Sequence, residues 1–193
     1  MNIRIRYIDG HRLKRSIIAS AQRILDMREE LNEINVFPVA DGDTGTNMAA
    51  TMHAIIDRAA ACQDGSLSRV CRSIADGALE GSRGNSGAIL AQFFSGLADA
   101  CEGRERLSSQ AFADAVHVAV DRAFEALSNP REGTILTVMQ DWAEQLNHQA
   151  AVESDYVALL QNALQRARTS LAETPQKLRS EEHTSELQSR FGI

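Results

Sequence analysis

Apolar residues recur at helical spacing along most of this chain. From His11 to Glu33, Leu13, Ile17, Ala21, Ile24 and Leu31 fall near one face, with Arg, Lys and Glu elsewhere, which predicts a first helix over 11–33. Met48, Met52, Ile55, Ile56 and Ala59 predict a second, with Asp43 or Thr44 as its N-cap and Asp64-Gly65-Ser66 as its end. Leu67, Val70, Cys71, Ile74, Ala78 and Leu79 predict a third, and Ile89, Leu90, Phe93, Phe94 and Leu97 a fourth. After a polar link at 102–108, Ser109 is the expected cap of a fifth helix carrying Phe112, Val116, Val120 and Phe124. The sixth carries Ile135, Val138, Met139, Trp142 and Leu146. Ser154 is the expected cap of the seventh, with Val157, Leu160, Leu164, Ala167 and Leu171 on its apolar face, and Thr174-Pro175 is expected to stop it. Residues 2–8 alternate like a short strand closed by Asp9-Gly10, but no other run alternates, so they are expected to form only a lead-in arm. The fold class predicted is all-α, an antiparallel helical bundle with short connections.

Composition agrees with this picture. A chain of 193 residues suits one domain, and 44% apolar with 24% charged residues is globular rather than disordered. A net charge of −6 argues against nucleic acid held by general electrostatics, although a metal can still bring a phosphate ligand to an acidic protein. Cys62, Cys71 and Cys101 lack CxxC spacing and are expected as buried, reduced thiols. No stretch is apolar enough to span a membrane and the N-terminus has no signal-peptide core, so cytoplasm is the expected compartment.

The chemistry lies between the helices. Asn35-Val-Phe-Pro-Val-Ala-Asp-Gly-Asp-Thr-Gly-Thr-Asn47 places Asp41 and Asp43 on either side of one glycine, immediately before the second helix, and Pro38 bars a helix through it. Paired acids suit Mg²⁺, and the first turn of a helix offers unpaired N–H groups to an anion. Taken alone, Asp-Gly-Asp is more often a turn than a metal site. Two more loops, Gly81–Gly87 and Ser128–Thr134, also run straight into helices. These loops follow the first, third and fifth helices, and in an antiparallel bundle alternate loops share one end. Convergence on one anion is therefore expected.

There is no GxxxxGK[ST], and the only lysines, Lys14 and Lys177, lie outside the loops, which excludes a P-loop NTPase. Metal, backbone N–H groups and Arg83 would have to meet phosphate charge. His53, His117 and His148 fit solvated or core-edge helix positions; Asp76, Asp121 and Asp141 fit solvated faces; Trp142, Phe93 and Phe94 fit the core. Residues 179–193 look like one translated frame of a sequencing adapter, so the natural domain is expected over 1–178, cut near Leu178.

At these loops INVFPVADGDTGTNM, GSRGNSGAIL and PREGTILTV resemble the DhaL-like nucleotide-binding domain of the dihydroxyacetone kinase family, in particular the version at the N-terminus of bacterial fatty acid kinase. The likeness runs roughly from Ile8 to Leu178. It implies an eight-helix antiparallel barrel with Mg²⁺ and ATP or ADP at one mouth, the eighth helix falling beyond the cut. By resemblance Asp41 and Asp43 would ligand Mg²⁺, with Asn35 near the position of a further ligand that is acidic in dihydroxyacetone enzymes. Thr46 and Asn47 would touch phosphate or metal-bound water. Gly84, Asn85 and Ser86 would cradle phosphates, and Gly133 and Thr134 would line the nucleotide pocket. The function implied is phosphoryl transfer to a fatty acid carboxylate presented by a DegV-like binding protein, which docks on domains outside this chain. The alternatives are a dihydroxyacetone-type kinase subunit and a nucleotide-binding regulatory module. The residues that act on an acceptor are not identified, and a homodimer is compatible with the sequence.

Overall fold

The computed structural model describes residues 4–35 and 40–191, from 179 onward as backbone alone. Pro38, residues 2–3 and the side chains of 179–193 lie outside the described set. Eight helices are present among the described residues: α1 (Gly10–Asp26), α2 (Arg28–Glu33), α3 (Thr44–Ala61), α4 (Leu67–Gly81), α5 (Gly84–Ala100), α6 (Ser109–Phe124), α7 (Ile135–Ala150) and α8 (Tyr156–Phe191). The all-α class holds. From α3 onward each helix packs on the next, and α1 packs on α3. The core between them is built on side chains such as Ile55, Ile74, Val116, Leu146 and Leu159.

The single first helix expected over 11–33 is two. At Met27 the N–H is shared between the carbonyls of Arg23 and Ile24, both at 3.2 Å, which tightens the last turn of α1 and starts α2 on a new axis. The short α2 buries no residue, so periodicity alone had nothing to separate it from α1.

The N-terminal arm is a strand with a partner. β1 (Tyr7–Asp9) pairs antiparallel with β2 (Arg106–Ser108), in the stretch expected to be a polar link, matching Ile8 with Leu107. Leu107 is only 2% exposed and plugs the core, but one apolar residue between two polar ones is too short an alternation to register as a strand. The buried Tyr156 hydroxyl donates to the carbonyls of Leu107 (3.1 Å) and Ser108 (2.9 Å). The Ile5 N–H donates to Asp155 and the Tyr156 N–H to the Ile5 carbonyl. The ribbon thus ties the start of α1 to the starts of α6 and α8.

Two caps sit next to their expected positions. Ser108, not Ser109, caps α6 by accepting from the Ala111 N–H, and Asp155, not Ser154, accepts from the Val157 N–H. Pro175 does not end α8. A proline there deprives the Leu171 carbonyl of its N–H donor, and the Thr174 hydroxyl donates to that carbonyl at 2.7 Å instead. The buried face of α8 is Tyr156, Leu159, Ala163 and Ser170, whereas Val157, Leu160, Leu164 and Leu171 are exposed. The period was right and the phase wrong, because α8 carries apolar residues on two faces. Leu79 is likewise exposed, and Cys62 is only half-buried, unlike Cys71 and Cys101. The three helix histidines, Asp76 and Asp121 are exposed as expected. Phe94 is buried, and Phe93 and Trp142 pack partly buried against the core.

Asp141 is not on a solvated face. Its side chain is 14% exposed, between α7 and α8, with one oxygen 2.8 Å from Arg166 and 3.6 Å from Lys177. Burial pushes its carboxyl up, but the nearby Ser170 hydroxyl, Arg166 and Lys177 together outweigh this and hold it below the usual carboxylate value. A depressed folded-state pKa adds stability that is present above the unfolded value and lost as pH falls through the folded one. Asp141→Asn should therefore cost about 1–3 kcal/mol in urea denaturation at neutral pH. The gap from wild type should close as the pH drops below the ordinary carboxylate range. A gap that persists at acid pH would show that packing, not charge, is what Asp141 contributes.

Candidate functional site

The three loops that the sequence singles out do meet. A cavity of about 740 Å³ opens at one end of the bundle, and residues of the α2–α3 connection, the start of α5 and the α6–α7 connection all line it. Asn35, Asp41, Asp43, Asn47, Gly84, Asn85, Ser86, Gly133 and Thr134 are among its lining residues. Thr46 is not. Its hydroxyl accepts from the Asn32 amide and its N–H donates to the Asn32 oxygen, both at 3.0 Å, which pins the start of α3 to α2.

The acid pair is braced rather than buried. Asn35 donates to an Asp41 oxygen at 2.8 Å and accepts from the Thr44 hydroxyl at 2.6 Å, so its amide orients Asp41 against the first turn of α3. Asp43 occupies the N-cap position of α3 but makes no side-chain capping bond. Both carboxylates are solvent-exposed. Among the described residues no three His, Cys, Asp or Glu side chains gather in metal-binding geometry. A two-acid donor set does not make a closed cage. It does fit Mg²⁺, which takes one or two carboxylates and completes its shell with ligand phosphates and water.

The helix starts at this mouth share a second property. In α3, α5 and α7 the residue at the capping position, Asp43, Arg83 or Thr134, makes no side-chain capping bond, although Asn32 takes the Thr46 N–H in the first turn of α3. At the opposite end Asp9 caps α1 and Ser108 caps α6, and the Ser68 N–H in the first turn of α4 finds the Arg104 carbonyl. In α5 the first intrahelical bond is from Gly87 to the Arg83 carbonyl, so the N–H groups of Gly84, Asn85 and Ser86 precede the ladder and have no carbonyl within it. Helix starts gathered at one cavity, with free first-turn N–H groups in α5, have the chemistry to receive an anion.

Glycine is needed at two of these positions. Gly84 has φ 56°, and a Cβ there would collide with the Asn47 amide, so the second loop rests directly on the first turn of α3. Gly133 has φ 75°, and a Cβ there would lie 2.6 Å from the Leu178 nitrogen and 2.7 Å from the Thr174 oxygen. The third loop is thereby seated on the backbone of α8.

Some lining residues escaped the sequence. Leu31, Ile34, Met48, Ile89, Leu127 and Ile135 give the cavity an apolar wall. The available signal was Ile34, an isolated apolar residue just past a helix end, which is 64% exposed. Arg131 also lines the cavity, while Arg83 does not: its guanidinium donates to the carbonyls of Ser82 (2.6 Å) and Glu80 at the C-terminus of α4.

The sequence matches the DAK2 domain over residues 38–191. The chain belongs to the DAK2-domain family. This is a kinase-type nucleotide-binding family related to dihydroxyacetone kinase, whose ligand is ADP or ATP, and the resemblance drawn from the three loops is thereby correct at family level. Among relatives, protein YloV of Bacillus subtilis is 37% identical over 174 residues, which are 90% of this chain and 32% of that protein. An uncharacterised protein of Staphylococcus saprophyticus is 36% identical over 171 residues (89% and 31%), and one of Staphylococcus aureus is 34% identical over the same shares. This DAK2 chain spans about a third of the length of these curated relatives. No helix among the described residues is long and apolar enough to cross a membrane.

Gly133→Ala should destabilise the DAK2 domain by about 1–3 kcal/mol in urea denaturation, because it adds both a disfavoured φ and a clash with α8. A change within about 0.5 kcal/mol would mean the third loop is not seated on that helix.

Proposed function

We propose that the chain is the Mg²⁺-dependent ATP-binding domain of a phosphotransferase of the fatty-acid-kinase type. The observation that carries this reading is the gathering of a braced acid pair and three helix N-termini, none capped by its own N-cap residue, around one cavity. Asp41 and Asp43 would hold the cation, with Asn35 fixing the orientation of Asp41. The N–H groups of Gly84, Asn85 and Ser86 would receive phosphate oxygens, and Asn47 would support that loop from below. Gly133 and Thr134 would form the facing wall, and the apolar residues would take the less polar part of the nucleotide. When bound, Mg²⁺ supplies charge neutralisation across the phosphates. The protein's own part is positioning and preorganised N–H donors, which suffice for a loose phosphoryl-transfer transition state.

The acceptor is proposed to be a fatty acid carboxylate, giving an acyl phosphate, brought by a DegV-like binding protein that docks on parts of the longer relatives outside this chain. One feature of the cavity favours a carboxylate over a hydroxyl. Among the described residues its lining includes no His, Lys or Cys, and its two acids would be committed to the metal, which leaves no described group placed to remove a proton. A carboxylate arrives already ionised and needs no general base, whereas a hydroxyl does. The dihydroxyacetone-type alternative would require that base on another subunit, and the regulatory alternative predicts nucleotide binding without turnover.

Asp41→Asn combined with Asp43→Asn should weaken Mg–ATP binding by calorimetry more than about 100-fold, with an unchanged helical circular dichroism spectrum. Wild-type affinity in the double variant would remove the metal assignment. Failure of the full-length protein that carries this domain, given its partner and a fatty acid, to consume ATP while still binding it would favour the regulatory module.

A further inference from the structure

The cavity has a charge problem that the acid pair and the helix starts do not solve. On the nucleotide reading above, a divalent cation is offset by Asp41 and Asp43 themselves. A nucleoside triphosphate then brings about four further negative charges. Three helix N-termini contribute roughly half a charge each. The remaining compensation has to come from a side chain, and few are available. Of the two lysines, Lys14 donates to the Cys62 carbonyl and Lys177 is paired with Asp141 and Glu173. Arg83 is spent on the end of α4.

Among the described residues, Arg131 is the one Lys or Arg side chain that lines the cavity. Among the described residues its guanidinium has no hydrogen bond or ion pair; the contact the residue makes is through its main chain. There its position is fixed. The Thr134 hydroxyl donates to the Arg131 carbonyl at 2.8 Å, and the Gly133 N–H donates to the Thr137 hydroxyl at 3.0 Å. Gly133 in turn lies against α8. A half-buried arginine on a pinned loop, at the edge of an anion cavity and without a carboxylate partner, has the donor geometry for phosphate oxygens.

We propose that Arg131 contacts the polyphosphate of the bound nucleotide and supplies the protein's largest single positive charge there. The proposal rests on the nucleotide reading of the cavity. Calorimetric titration of Mg–ATP into wild type, Arg131→Met, Arg131→Lys and the double aspartate variant, each at low and moderate ionic strength, tests it. Arg131→Met should bind about 10- to 100-fold more weakly, and Arg131→Lys should recover most of the loss. The ionic-strength dependence should be flatter in Arg131→Met than in wild type, which a purely structural role would not produce. Wild-type affinity in Arg131→Met, or a loss with unchanged ionic-strength dependence, would overturn it. The two layers separate cleanly. If wild type does not bind Mg–ATP, the nucleotide reading falls and takes this proposal with it. If wild type binds, the double aspartate variant does not, and Arg131→Met does, only the role of Arg131 falls.

Discussion

The N-termini of α3, α5 and α7 meet at the same cavity with no capping bond from the residue at the N-cap, and much of the remaining structure can be understood as making that tolerable. An uncapped helix start forgoes about 1 kcal/mol relative to a well-capped one. Three such starts at one end amount to a substantial part of the net stability of a domain. The far end is built the other way, with Asp9, Ser108 and Asp155 each accepting from a first-turn N–H. The side-chain caps from N-cap residues fall at the far end, on α1, α6 and α8, although α4 there also lacks one.

Holding three loops at one mouth also requires that the helices beneath them do not shift. The ribbon of β1 and β2 fastens the far end, with the Tyr156 hydroxyl joining α8 to Leu107 and Ser108. At the mouth, Thr46 locks α3 to α2, Gly84 rests on Asn47, and Gly133 rests on α8. The turn of α8 under Gly133 is the one containing Pro175, where an intrahelical bond is missing and Thr174 substitutes. That weakened turn is steadied by Asp141, whose ion pairs reach Arg166 before the proline and Lys177 after it. A charge network between α7 and α8 therefore bears on the shape of a cavity it does not line.

What was legible in the sequence follows from the range over which each interaction acts. The helices, and the glycine loops that lead into α3, α5 and α7, are local patterns, and the alternation of an antiparallel bundle then brings the loops together. The pairing of β1 with β2 joins residues about a hundred positions apart through a single apolar side chain, Leu107, and no local period reports it. The phase of α8 was lost because Val157, Leu160, Leu164 and Leu171 form one apolar row and Tyr156, Leu159 and Ala163 another, and only packing on α7 selects between them. Proline at 175 signals a stop unless a neighbouring hydroxyl happens to take over its bond. Asp141 looks like any polar residue on an amphipathic helix until Arg166 and Lys177 are brought opposite it. Thr46 and Arg131 illustrate the same limit within the site. One lies inside the motif yet faces Asn32, and the other is a loop arginine whose significance depends on its making no ion pair among the described residues.

The acid pair sets an order on binding. Asp41 and Asp43 are both exposed, and no cationic side chain makes an ion pair with either among the described residues. Two carboxylates at this spacing repel a phosphate by about 1–4 kcal/mol per close charge pair at surface-like dielectric. A polyphosphate without a cation would therefore meet net repulsion from the first loop and attraction from the second and third. A cation without phosphate would find two carboxylates and water, too few protein ligands to hold Mg²⁺ tightly. Each ligand repairs the deficit that the other meets, so the cavity favours a cation–polyphosphate pair over either component. The brace from Asn35 to Asp41 contributes by holding one acid in place before the pair arrives, which reduces the ordering that binding would otherwise require.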